Sequence, residues 1–401
     1  MTERLYYTDA YTAEFDAVIL KVMQHDGRAA VVLDRTAFYP TSGGQPHDTG
    51  TLASARVLEV VEAEDGGILH VVDREVAPGS VRGSIDWDRR FDHMQQHTGQ
   101  HVLSAAFDRL LQARTVSFHL GSASASIDLA REVSPAEIAR VERDANRIVW
   151  EDRPVNVRFA DGEEVARLPL RKEPARGGVL RLVEVDGSDL SACGGTHVAR
   201  TGAIGIVAVA SWERFKGGTR VEFLCGGRAL AGYHALRDAV AASVRLISVL
   251  PGELPAGIER LQAEGKEAKR QIRDQQGRLA GFEAEKLVAH AEGLGPWRVV
   301  LAALDGWDPN GLKALACAIV DRPRHIAVLF GGPAPAAVVA ARGEAVAFDC
   351  AVLLKSLTTA FGGKGGGRPD LAQGGGLDAP AGELIARARA LLQDRVILKP
   401  E

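Results

Sequence analysis

Two short stretches, far apart in the chain, limit its possible folds more than any other feature: His97-Thr98-Gly99-Gln100-His101 and Cys193-Gly194-Gly195-Thr196-His197. The first lies in a proline-free run leading into Ala105, Ala106, Phe107, Leu110 and Leu111, and that apolar pattern reads as a helix. Residues at i and i+4 share one helix face, so His97 and His101 can point at one ion. A Cys and a His from the second stretch complete a set of four ligands. Thiolate sulfur with imidazole nitrogen suits Zn²⁺ best among common intracellular metals. Each half alone has a plainer reading as a solvated helix face, a packed core histidine or an ordinary loop. His93 lies one helical turn before His97 and can replace either partner in the set.

At these residues the chain resembles the editing domain of alanyl-tRNA synthetases and its free-standing relatives, the alanyl-tRNA editing proteins. In that family a His-x3-His helix and a Cys-x3-His loop share one zinc, which selects His97, His101, Cys193 and His197 over His93. Thr36-Ala37-Phe38-Tyr39-Pro40-Thr41-Ser42-Gly43-Gly44-Gln45, followed by Asp48-Thr49-Gly50, resembles the family's glycine-rich signature ahead of the zinc helix. Gly362-Gly363-Lys364-Gly365-Gly366-Gly367-Arg368-Pro369-Asp370, with Gln373-Gly374-Gly375-Gly376, resembles the C-terminal domain shared with alanyl-tRNA synthetases and DHH-family phosphoesterases. The resemblance spans nearly the whole chain. Read from its residues, Gly43-Gly44 is a tight hairpin or a close approach of backbone to a ligand. The resemblance places this segment at the editing pocket and implies Thr41, Ser42, Gly43, Gly44 and Gln45 as substrate contacts.

A length of 401 residues predicts two or three domains. No apolar run is long enough to cross a bilayer, and Met1-Thr2-Glu3-Arg4-Leu5-Tyr6 begins no signal peptide. The 4 cysteines are spread along the chain, one of them expected on zinc, which argues for a reducing, cytoplasmic setting rather than a disulfide framework. The net charge of −4 does not advertise nucleic-acid binding, so a tRNA ligand has to meet local basic patches.

Taken in order, the chain predicts an α+β multidomain protein. Residues 1–85 read as a small N-terminal β-barrel. Ala17–Val22, Ala29–Leu33 and Ile68–Val72 are strands, and Asp26-Gly27, Gly66-Gly67 and Pro78-Gly79 are turns. Residues 86–228 read as a central α+β domain, which the resemblance implies is the zinc-containing editing domain. Within it, Ser134-Pro135-Ala136-Glu137 signals a capped helix start. His119, on a strand, is kept as a site residue, its plainer reading being a packed or hydrogen-bonded histidine. Lys216 and Arg220 sit on a hairpin, as solvated edge charges or as contacts for the tRNA 3′ end.

Residues 229–292 read as a helical spacer with an imperfect heptad seam through Ile258, Leu261, Ile272, Leu279 and Phe282, suited to an antiparallel helix pair or a dimer stalk. Residues 293–401 read as an α/β domain, with buried strands at Arg298–Leu304 and His325–Phe330. Its glycine-rich loop lacks the P-loop pattern, yet Lys364 and Arg368 among glycines can approach phosphates together with backbone amides. By the resemblance this domain contacts tRNA and can pair subunits into a homodimer.

The expected function is a trans-acting aminoacyl-tRNA deacylase that hydrolyses the ester of mischarged tRNA(Ala), with serine the first error removed and glycine the next. Zinc either activates water or polarises the ester, or it anchors the substrate while backbone N–H groups at Gly194, Gly195 and Thr196 stabilise the oxyanion. No Ser-His-Asp arrangement or helical His-Glu-x-x-His is visible, which excludes serine-hydrolase and peptidase chemistry. Two alternatives stand beside this reading: a tRNA-binding protein whose zinc is structural, and a metallohydrolase for another ester.

Overall fold

Period-two alternation closes the N-terminal sheet. Phe15, Ala17 and Ile19 point inward from strand β1 (Glu14–His25), and the residues between them face solvent. With β2 (Arg28–Leu33), β3 (Gly50–Leu52), β4 (Ala55–Glu62), β5 (Ile68–Val72) and β6 (Ser80–Ile85), it forms a closed barrel in the order β1-β2-β5-β4-β3-β6. Leu33, Phe38, Leu52, Val60 and Ile68 fill it. One corner requires glycine: at Gly50 (φ 156°) a Cβ would lie 2.1 Å from the Ser84 carbonyl oxygen. This computed structural model describes residues 2–64, 66–172 and 178–397. The chain divides into two units, Met1–Ala242 and Ser243–Glu401.

In the first unit, helix α1 (Trp87–Leu111) follows the barrel, its start capped by the Asp86 carboxylate on the Arg89 amide. It is a central helix: every residue from His93 to Phe107 is buried. Around it lie β7 (Thr115–Leu120), β8 (Ala125–Leu129), α2 (Pro135–Trp150), β9 (Val155–Ala160), β10 (Leu180–Val185), β11 (Asp189–Ala192), β12 (Val207–Phe215) and β13 (Gly218–Cys225). They make a four-stranded antiparallel sheet, β12-β13-β8-β7, and a three-stranded one, β9-β10-β11. Ser134 and Glu137 form the capping box expected for α2. Met94, Leu103 and Phe107 of α1 join Ile127, Val141, Val183 and Phe223 in one core. Helix α3 (Gly226–Ile247) begins in this unit and runs past its end at Ala242.

The second unit holds α4 (Leu254–Ala289), β14 (Glu292–Leu294), β15 (Trp297–Leu304), α5 (Pro309–Val320), β16 (His325–Gly331), β17 (Ala336–Arg342), α6 (Cys350–Phe361), β18 (Lys364–Gly367), β19 (Leu371–Leu377) and α7 (Ala381–Ile397). The strand order is β14-β15-β16-β17-β19-β18. Only β15–β16 is parallel, with α5 as its crossover, so the sheet is mixed. Leu312, Leu315 and Ile319 cover one face, and Leu353, Leu357 and Leu384 pack on the other. The spacer seam is not covered by an antiparallel partner helix within the described residues. Ile258, Leu261, Ile272, Leu279 and Phe282 are exposed in the single chain, and the stripe that α4 buries runs through Gln276, Ala280 and Ala284. Among the described residues, no single helix is long and apolar enough to cross a membrane.

Candidate metal centre

Helical spacing sets His97 and His101 on one side of α1, and the loop after β11 brings Cys193 and His197 to meet them. The four potential ligand atoms lie within 4.8 Å of one another. Cys193 Sγ stands 3.4 Å from His97 Nε2 and 3.3 Å from His197 Nε2. A tetrahedral ion at usual Cys and His bond lengths sets sulfur and nitrogen about 3.5 Å apart. The cluster therefore has the dimensions to hold a metal ion. His93, also buried, is not among the four, and its Nδ1 has no partner among the described residues.

Each imidazole is held by its other nitrogen. His97 Nδ1 lies 2.8 Å from Gln45 Oε1, His101 Nδ1 2.7 Å from Asp189 Oδ2, and His197 Nδ1 3.2 Å from Thr98 Oγ1. Such bonds fix the tautomer and leave Nε2 free for a metal. Burial drives His197 down to about 3, so its ring is neutral. Burial opposes a charged Cys193, but the neighbouring His97 and the hydrogen bond from His101 outweigh it and hold the thiol well below its usual range. Burial likewise opposes charge on His101 and Asp189. Their mutual hydrogen bond wins, raising His101 to about 9 and lowering Asp189 to about 2. The proton so held on His101 is one that a metal would displace.

The loop is clamped from behind. Arg181, nearly buried, donates from Nη1 to the carbonyls of Cys193 (2.7 Å) and Gly195 (2.9 Å), and from Nε to that of Tyr7 (3.0 Å). Gly195 packs so closely that a Cβ there would lie 2.2 Å from His97 Cε1. Gly195 and Thr196 were expected to offer amides to an oxyanion. Their N–H groups are engaged, Gly195 with Cys193 Sγ (3.4 Å) and Thr196 with Gln45 Oε1 (3.2 Å). The amide of Gly194 has no such bond among the described residues.

The barrel supplies the next layer. Gln45 bridges His97 and Thr196, with its Nε2 donating to Thr196 Oγ1 at 2.8 Å. The Gly44 carbonyl accepts from the Leu120 amide (3.1 Å), and a Cβ on Gly44 would come 2.7 Å from the Phe118 carbonyl oxygen. The loop is docked on α1 by a buried ion pair between Arg90 and Asp48, in which Arg90 also reaches the carbonyls of Ala10 (2.8 Å) and Ala37 (2.5 Å). A cavity of about 170 Å³ opens beside the cluster, lined in part by Gly43, Gln100, Ser117, Phe118 and Arg171.

Other predicted residues lie elsewhere. Thr41 is exposed, its Oγ1 3.0 Å from His47 Nδ1, and Ser42 bridges back to Gln45. His119 is exposed on β7 and is not part of the cavity wall. Lys216 is exposed at a turn, whereas Arg220 forks onto Asp128 (2.7 and 2.9 Å) and stacks on Phe215. In the second unit Lys364 is exposed at the start of β18, and Arg368 pairs with Asp370 at 3.0 Å. Asp189 and Arg181 escaped the sequence reading because an isolated Asp or Arg carries no spacing signal.

Comparison with known proteins agrees with this architecture. Residues 3–89 match the family described as tRNA synthetases class II (A), 180–222 the threonyl and alanyl tRNA synthetase second additional domain, and 298–397 the DHHA1 domain. These define a chain of the alanyl-tRNA synthetase editing class. The alanine--tRNA ligases of Pyrococcus abyssi and Natronomonas pharaonis are 34% and 36% identical over 93% and 94% of this chain, which spans only 42% of either ligase. The alanyl-tRNA editing protein AlaX-L of Pyrococcus horikoshii is 32% identical over 93% of this chain and 94% of its own length. The chain belongs to this family of alanyl-tRNA editing proteins.

Proposed function

We propose that the protein is a zinc-dependent deacylase that hydrolyses the ester of mischarged tRNA(Ala) in trans, removing serine first and glycine second. The observation that carries this reading is the pre-oriented Cys-His₃ cluster beside a small cavity. His97, His101, Cys193 and His197 would hold the zinc, which when bound supplies an electrophile for the ester carbonyl or for the attacking water.

The chain's own residues do the rest. Gln45, Asp189 and Thr98 keep Nε2 of each imidazole turned to the site. Arg181 fixes the Cys193–Gly195 backbone, and the Gly194 amide is the donor of that loop available to a substrate oxygen. Gly43 forms cavity wall without a side chain and so leaves room for an aminoacyl group. Exposed Lys216 and Lys364 are the proposed phosphate contacts. Binding through Arg220 or Arg368 competes with their carboxylate partners, Asp128 and Asp370. The proposed layout keeps the barrel at 1–85, the editing domain at 86–228, the spacer at 229–292 and the tRNA-contacting domain at 293–401.

The test is parallel hydrolysis of Ser-tRNA and Ala-tRNA, both on the alanine tRNA, by zinc-loaded protein. Loss of serine with alanine spared supports the reading. Two intact esters, with tRNA still bound, would favour a binding protein with structural zinc.

A further inference from the structure

Among the described residues, the cavity beside the cluster is lined by cations but by no carboxylate. Apart from the cluster itself, Arg171 and Lys172 are the charged residues among the lining. The neutral polar wall comes from Gln100, Thr115, Ser117 and Ser191, and these differ in what they have left to offer. Ser117 Oγ donates to Asp128 Oδ2 (2.5 Å), Ser191 Oγ to Asp189 Oδ2 (3.0 Å), and Thr115 Oγ1 to Ser104 Oγ (2.8 Å). Gln100 Nε2 donates to the same Ser104 Oγ at 2.8 Å. That bond orients the amide and leaves Oε1 as its cavity-side group. Among the described residues no hydrogen bond reaches this oxygen, although Gln100 is only 6% exposed. The oxygen is not sealed away from solvent but open to the cavity, where it can accept a hydrogen bond from a ligand.

We propose that Gln100 is the specificity-determining residue that accepts a hydrogen bond from the side-chain hydroxyl of the aminoacyl group. The proposal rests on the deacylase reading above and names how that site tells serine from its neighbours. Outside the cluster, the charged lining among the described residues is Lys172 and Arg171, the latter paired with Asp189, and a neutral hydroxyl is a fitting donor to Oε1. Gln100 stands on α1 three residues after His97 and directly before His101, so an ester held at the cluster brings a β-substituent within its range. Alanine and glycine carry no hydroxyl. Either one would leave Oε1 unpaired once the aminoacyl group excludes water. A single lost bond of this kind lowers affinity roughly 10- to 100-fold.

The test measures binding rather than turnover. The zinc-loaded full chain is titrated calorimetrically with two non-hydrolysable probes: adenosine carrying serine through a 3′-amide, and the same compound carrying 2-aminobutyrate, in which a methyl replaces the hydroxyl. Wild type should prefer the seryl probe by roughly 10- to 100-fold, and Gln100→Met should abolish the preference mainly by weakening seryl binding. Gln100→Glu keeps an acceptor at the position and should keep the preference, and zinc content is measured for every variant. Equal affinity for both probes in wild type, binding of neither, or an equal loss of both in Gln100→Met overturns the assignment. Hydrolysis of Ser-tRNA is assayed separately. Its absence in wild type would defeat the deacylase reading while the probe ratio still decides the role of Gln100.

Discussion

Replacing Gly195 with Ala tests the coupling between the Cys193 loop and the His97 ring. The new methyl would lie 2.2 Å from His97 Cε1, 2.4 Å from Nδ1 and 3.1 Å from Gln45 Oε1. Ordinary carbon contacts begin near about 3.5 Å, so one side must yield by on the order of 1 Å. The loop is the stiffer side, because Arg181 holds the Cys193 and Gly195 carbonyls while Gln45 holds both the amide and the hydroxyl of Thr196. The ring therefore moves, far beyond the roughly 0.2 Å that a zinc ligand tolerates. Loss of a bond that merely orients a ligand costs about 10- to 100-fold in metal affinity, so displacing the ligand should cost at least the upper figure. Overpacking should add about 1–3 kcal/mol of destabilisation. Competition with a chromophoric chelator measures the first effect and chemical denaturation of the zinc-free protein the second. Undiminished zinc affinity in Gly195→Ala would refute the claim that the loop, rather than the ring, holds its position.

Three further outcomes follow from the geometry. Asp189→Asn removes the charge that orients His101 and should weaken zinc binding by roughly 10- to 100-fold, read by the same competition. Asp48→Ala leaves Arg90 buried with only carbonyl partners and should destabilise the first unit by about 3–5 kcal/mol, measured by denaturant unfolding. His70, driven by burial from 6.5 down to about 4, is neutral in the fold but takes up a proton when unfolded. Its contribution is intact above about pH 6.5 and is lost as pH falls towards 4, a slope worth roughly 3 kcal/mol that His70→Gln should remove.

Much of this was legible in the sequence where chemistry coincides with a local period. The His97–His101 pair follows from helical spacing, and Cys193 with His197 fits one short loop. The strands at Ala17–Val22, Ala29–Leu33 and Ile68–Val72 follow from alternation and lie within the barrel sheet. What the reading missed are bonds between segments. Asp189 reaches His101 across 88 positions, and Gln45 reaches His97 across 52. Neither shows as a pattern, since any polar residue at those places looks like surface until the fold brings it in. Gln45, implied as a substrate contact by the resemblance, also holds the His97 ring, a role that no spacing showed. The seam of α4 shows the opposite limit, because apolar spacing marks a face without saying whether the same chain or a second copy covers it.

The bond network of Gln45 also bears on how such a chain can change over generations. One amide serves His97 through Oε1 and Thr196 through both of its atoms, so positions 151 residues apart are judged together. A shorter side chain at position 45 would release both partners at once, and no single replacement at position 196 would restore the histidine. Drift in the barrel loop is therefore filtered at the candidate metal centre, and recombination within the first unit should succeed only where both segments come from one parent.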